Sequence, residues 1–128
     1  MTTELAERDP QPAEAPDPAA QALSDLLAVL DTCLTELESA RGRARSLLAA
    51  RRTGQPWLAI VTEESRPLVV EQISAVMAAL ATAGGAWRRE QAHALQSEQV
   101  SINRIAALFG VTRQRISALL RERAQSRA

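Results

Sequence analysis

The chain has 128 residues, 46% hydrophobic but only 2% aromatic, which is the size of one domain with extensions. One Cys and one His leave no intramolecular disulfide, no zinc-ligand spacing and no nucleophile–base couple, so neither an enzyme nor a metal or cofactor site is expected. The formal charge of zero hides a division: residues 1–40 carry nine acids and one Arg (net −8), residues 41–128 fourteen Arg and six acids (net +8).

No run of 18 apolar residues occurs, and the N-terminus lacks a basic-then-apolar leader. The expectation is a chain without a membrane partner, in a reducing cytoplasm that suits a lone thiol. Residues 1–19 place Pro10, Pro12, Pro16 and Pro18 among acids and small residues, which predicts a disordered acidic tail.

Residues 20–52 are expected to form one long helix. Leu23, Leu27, Leu30, Leu34 and Leu37 alternate steps of four and three, a heptad seam that continues through Arg41, Ala44 and Leu48. Leu26, Val29 and Cys33 widen the stripe, with Cys33 read as a small apolar helix residue. The seam predicts self-association through residues 20–52, most simply a homodimer; the alternative is that this helix folds back on its own chain.

Residues 53–85 read as a linker with middle helices. Gly54 should end the long helix, and Pro56 should open a short one in which Trp57 is a core anchor. Ser65 and Pro67 are expected to open a helix to Ala83, with Val69, Ile73, Val76 and Leu80 inward, Val70 and Met77 beside them, and Gly84-Gly85 as its stop. Ala86 to Glu98 then forms a further helix with Trp87, Ala94 and Leu95 buried and His93 at or near the surface. This helix opens a unit that spans residues 86–128.

Residues 101–121 carry the strongest pattern. Ser101 is an N-cap, Ile102, Ile105, Ala106 and Phe109 form one apolar face, and Gly110 ends the helix. Val111 is expected to fill the gap before a second helix capped by Thr112. Ile116, Leu119 and Leu120 are the buried side of that helix, and Arg113, Gln114, Ser117 and Arg121 the open side. The small residue Ala106, the turn Gly110, the apolar Val111 and the anchors Ile116 and Leu119 resemble the helix-turn-helix superfamily of DNA-binding proteins. The segment from Ala106 to Leu120 is also similar to small bacterial regulators and the promoter-reading end of sigma factors. The resemblance covers the last quarter of the chain, and too few residues follow for a winged variant.

With no strand alternation anywhere, the expected fold is all-α: a long N-terminal helix and a C-terminal trihelical helix-turn-helix without a wing. Residues 102–128 hold six Arg and one Glu, the charge balance of a segment that meets phosphates. The expected partner is double-stranded DNA. Arg113 and Gln114 would reach base edges, and Thr112, Arg115, Ser117, Arg121 and Arg123 would set position on phosphates. Arg88 and Arg89 are candidates for the DNA backbone or simply a solvated face. No small-molecule ligand is evident. Transcription regulation by a cytoplasmic, nucleoid-bound homodimer is the expected role. The alternatives are a protein-interaction module, for example one associated with RNA polymerase, and a nucleoid-associated protein of low sequence specificity.

Overall fold

A computed structural model describes residues 16–127, with side chains as far as Glu122. The described chain is all-helical: α1 (Pro18–Arg52), α2 (Trp57–Glu63), α3 (Val69–Ser97), α4 (Ile102–Phe109) and α5 (Arg113–Arg127). The tail expected over residues 1–19 lies outside the described residues as far as position 15. Packing divides the chain into two units. Ser24–Ala86 form one, and Trp87 onward, with the described residues up to Leu23, the other.

Helix α1 begins where the sequence supplies both a cap and a first-turn proline. The Asp17 carboxylate accepts from the Ala20 amide at 3.0 Å, and Pro18, which has no amide to satisfy, takes the first helical position. It ends at Gly54, whose φ of 101° lets the chain reverse. There the Gly54 amide donates to the Arg51 carbonyl at 3.0 Å and the Gln55 amide to that of Ala50 at 3.2 Å.

Within Ser24–Ala86, α1 packs against α3 through a stripe of modest side chains. Cys33 and Ala40 are buried and Leu26, Val29, Arg43 and Leu47 half-buried, at steps of three, four and, from Cys33 to Ala40, seven. From α3 come buried Gln72 and Val76, flanked by half-buried Val69 and Leu80. The Cys33 thiol lies 4.0 Å from the Val76 carbonyl, and Gln72 Nε2 donates to Glu36 Oε1 at 2.8 Å. Arg43 Nη1 donates to Gln72 Oε1 at 3.3 Å and Nη2 to the Ser65 carbonyl at 2.7 Å. Positions 33, 36 and 43 thus meet 76, 72 and 65 in turn, so α1 and α3 run antiparallel. Gln72 is satisfied from both sides, which a buried amide requires.

Several expectations for residues 53–85 are corrected. Trp57 is no core anchor: it is 54% exposed, with the Arg51 guanidinium 5.2 Å from the centroid of its ring, while Ile60 holds the buried position of α2. Helix α3 starts at Val69, not at Ser65. Its caps are carboxylates: Glu64 Oε2 accepts from the Val69 amide and Glu71 Oε1 from the Leu68 amide, both at 2.8 Å. The Ser65 carbonyl is engaged by Arg43 and the Arg66–Pro67 peptide is cis. Ile73 is exposed and Gln72 takes the inward place assigned to it, because the α1 stripe offers hydrogen-bonding partners there.

Gly84 and Gly85 do not stop α3. A glycine terminates a helix by adopting a left-handed conformation, and neither residue has a positive φ. The inward stripe Gln72, Val76, Leu80 and Ala83 keeps helical spacing up to them, and a helical glycine costs only about 1 kcal/mol relative to alanine. By length and composition α3 is apolar enough to cross a membrane, although Glu71, Gln72 and Ser74 interrupt its apolar run.

The second unit is built on Ala92 of α3, Ile105 and Ala106 of α4, and Ile116 and Leu119 of α5, with Ile105 and Ile116 wholly buried. Leu95, Val100, Ile102, Phe109 and Leu120 pack around them. Ala92 has the central place that Ala94, now half-buried, was expected to share. Trp87 is likewise only half-buried.

Candidate nucleic-acid interface

Two tight turns position α5. After α3, Gln99 takes the left-handed conformation with φ 71°; the Gln99 amide donates to the Gln96 carbonyl and the Val100 amide to that of Leu95, both at 3.0 Å. After α4, Gly110 does the same with φ 70°: its amide reaches the Ala107 carbonyl at 3.3 Å and the Val111 amide that of Ala106 at 3.0 Å. Both are the paired closure that reverses a chain directly after a helix. The following helices are capped by hydroxyls. Ser101 Oγ accepts from the Arg104 amide and Thr112 Oγ1 from the Arg115 amide, each at 3.1 Å. Three residues therefore separate α4 from α5, and the two helices pack directly.

Anchoring Ile116 and Leu119 in the core decides what the rest of α5 does. At 100° per residue, Arg113, Ser117 and Arg121 stack one turn apart on the far side, with Gln114 beside them. These four side chains line one open hollow of about 340 Å³. Arg113, Gln114 and Arg121 are exposed and Ser117 is half-buried. The hollow is thus walled by two guanidiniums, an amide and a hydroxyl. It is suited to planar, acceptor-rich or anionic groups.

The remaining sequence-expected residues are placed differently. Arg115 is exposed but falls on the flank of α5, outside the hollow. The Thr112 hydroxyl oxygen is engaged as the cap, which leaves its O–H as a donor. The Arg123 side chain lies outside the described residues. Val111 does not fill the space between the helices: it is exposed, and the gap is closed by Ala106 against Ile116 and Leu119. Leu108 is exposed near it.

Three contacts brace α5 and α4 against α3. The Arg88 guanidinium sits 4.4 Å from the centroid of the Phe109 ring, a cation–π contact. Arg89 Nη1 lies 3.7 Å from Glu122 Oε1. His93 Nε2 is 3.3 Å from the Leu120 carbonyl, which accepts from that nitrogen when it carries a proton. His93 is half-buried. Arg88 and Arg89, candidates for the DNA backbone or a solvated face, each have an intramolecular partner. The sequence signals for these braces are weak, since an Arg–Phe stack between positions 88 and 109 has no local spacing rule. Among the described residues, no group of three or more acids, histidines or cysteines is placed to hold a metal ion. Compared with known proteins, the chain matches no family model, no curated protein and no solved structure.

Proposed function

We propose that the chain is a sequence-reading DNA-binding protein, a dimeric transcription regulator that inserts α5 into the major groove. The observation that carries this reading is the two-sided make-up of α5. Ile116 and Leu119 are buried, and the opposite face gathers Arg113, Gln114, Ser117 and Arg121 around one hollow. Arg matches the paired acceptors of guanine, Gln the acceptor–donor pair of adenine, and Ser either base or a phosphate. The first two amides of α5, ahead of the Arg115 amide that Thr112 caps, add donors that no helical carbonyl can reach.

In this reading the α3 residues from Trp87, α4 and α5 act as a wingless trihelical helix-turn-helix. Arg113 and Gln114, nearest the N-terminus of α5, reach deepest into the groove. Ser117 and Arg121 follow along it, and Thr112, Arg115 and Arg123 meet phosphates. Two copies joined through α1 supply two half-sites, because one reading helix buries too little surface for specific binding. The chain works on the nucleoid in the cytoplasm, and no membrane, cofactor or small molecule enters the account. The exposed Leu108 and Val111 beside the α4–α5 turn favour, as a second reading, a protein-interaction module such as one that sits on RNA polymerase.

Selection of bound fragments from a random-sequence duplex library tests the proposal. Enrichment of one two-fold-related motif is expected. Binding without enrichment would reassign the chain to nucleoid-associated proteins of low specificity. Recovery of no duplex would favour the protein-interaction module.

A further inference from the structure

The residues that follow the inward stripe of α1 by one position form a second stripe, and the described residues leave it uncovered. Leu27, Leu30 and Leu34, one position after Leu26, Val29 and Cys33, all stand exposed, Leu34 by 66%, and the exposed Leu37 continues them at heptad spacing. On α3 the same one-residue step from Val69, Gln72 and Val76 gives Val70, Ile73 and Met77, also exposed, Met77 by 65%. One residue is a rotation of about 100° about a helix axis. In two helices facing each other and running antiparallel, equal steps of this kind turn both stripes toward the same side. The helix pair of Ser24–Ala86 therefore presents one continuous two-helix apolar face. Soluble chains rarely leave so long an apolar patch open unless it is an interface.

The charges on α1 indicate what covers it. From position 24 to 40 the helix carries Asp25, Asp31, Glu36 and Glu38 and no cation; from 41 to 52 it carries five Arg and no acid. A parallel pairing of two copies lays acid beside acid and Arg beside Arg. An antiparallel pairing lays the acidic half of each along the basic half of the other. The leucines are compatible with it: when the crossing falls between Leu34 and Arg41, Leu27 and Leu30 of one copy meet Ala44 and Leu48 of the other.

We infer that the occupant of this face is a second copy of the chain, its α1 antiparallel to the first, so that two helix pairs close into a four-helix bundle. This rests on the self-association in the proposed function and fixes its polarity. Leu48, also exposed, extends the seam toward the C-terminal end of α1. The heptad spacing is that of helices crossing at a shallow angle.

Spin labels on the full-length protein distinguish the polarities. Ala28 and Ala49 are exposed, uncharged and off the apolar stripe. In a Cys33→Ala background, Ala28→Cys and Ala49→Cys are labelled separately and the distance between the two copies is measured by pulsed electron resonance. Antiparallel helices place each position about 20 residues from its own counterpart, so both samples should give about 30 Å. Short separations of about 15 Å at both positions, from side-by-side axes and label length, would overturn the polarity and leave the dimer. A monomeric mass by light scattering, with or without binding to lipid vesicles, would overturn both the inference and the self-association. DNA binding would still be decided by its own test.

Discussion

Gly110 and Gln99 hold equivalent places in two turns, at φ 70° and 71°, yet only one of them is a glycine. The left-handed conformation costs an L-residue about 1 kcal/mol relative to glycine. Gly110→Ala is therefore expected to destabilise the chain by about 1 kcal/mol, and Gln99→Gly to stabilise it by a little less, both read from urea denaturation. An added Cβ at Gly110 meets nothing within 4 Å beyond its chain neighbours, so the first loss reports backbone strain. At the candidate interface, Arg113→Ala and Gln114→Ala should each weaken duplex binding about tenfold or more, with no change in melting temperature, because both side chains are exposed. Lost stability in place of lost affinity would remove these residues from the reading role. At this scale the sequence was legible wherever chemistry is local. Ser101 and Thr112 as caps and Gly110 as a terminator need only neighbouring residues, and each is found as expected. Which of Ile73 and Gln72 turns inward is not legible locally, because it depends on α1, where Gln72 meets Glu36 36 positions away. No local spacing tells that Ile60 and not Trp57 is the buried residue of α2.

Helix α3 shows how an element overrides a local signal. The double glycine promised a stop, but a helix ends only when its flanks stop supplying spacing and partners, and here they continue. An added Cβ at Gly84 meets nothing within 4 Å. Gly84→Ala is thus expected to stabilise the chain by about 1 kcal/mol, whereas a helix terminator at this place would be destabilised by the same change. A thermal melt gives the sign. The start of α3 was illegible for the opposite reason: its caps, Glu64 and Glu71, act from outside the helix and from within its first turn, beyond the Ser–x–Pro pattern that suggested Ser65. Helix α1 was legible in extent but not in allocation. Its wide apolar stripe resolves into two, one packed within the chain and one left open, so fold-back and self-association are both accommodated. Leu34→Glu, on the open stripe, is expected to convert the proposed dimer to a monomer with its helix content retained, as followed by light scattering and circular dichroism. A dimer that survives this substitution would place the interface elsewhere.

For the molecule as a whole, the division of charge sets the terms of recognition. The net charge of zero conceals an Arg-rich C-terminal segment whose net of +5 lies in the residues that include α4 and α5. In the proposed reading its field would attract a polyanion regardless of sequence, and the hollow on α5 would add base discrimination to that attraction. The all-helical class followed directly from the absence of alternating apolar and polar residues. The division of α1 and α3 between two packing units did not, since each helix is continuous in sequence pattern and changes its partners along its length. The most direct test of the central claim is fluorescence anisotropy of a labelled duplex titrated with the protein at several salt concentrations. Affinity in the micromolar range or tighter is predicted, falling on the order of several hundredfold between 50 and 200 mM salt for about five phosphate contacts. No binding at 50 mM salt, where phosphate attraction is strongest, would contradict the DNA-binding account.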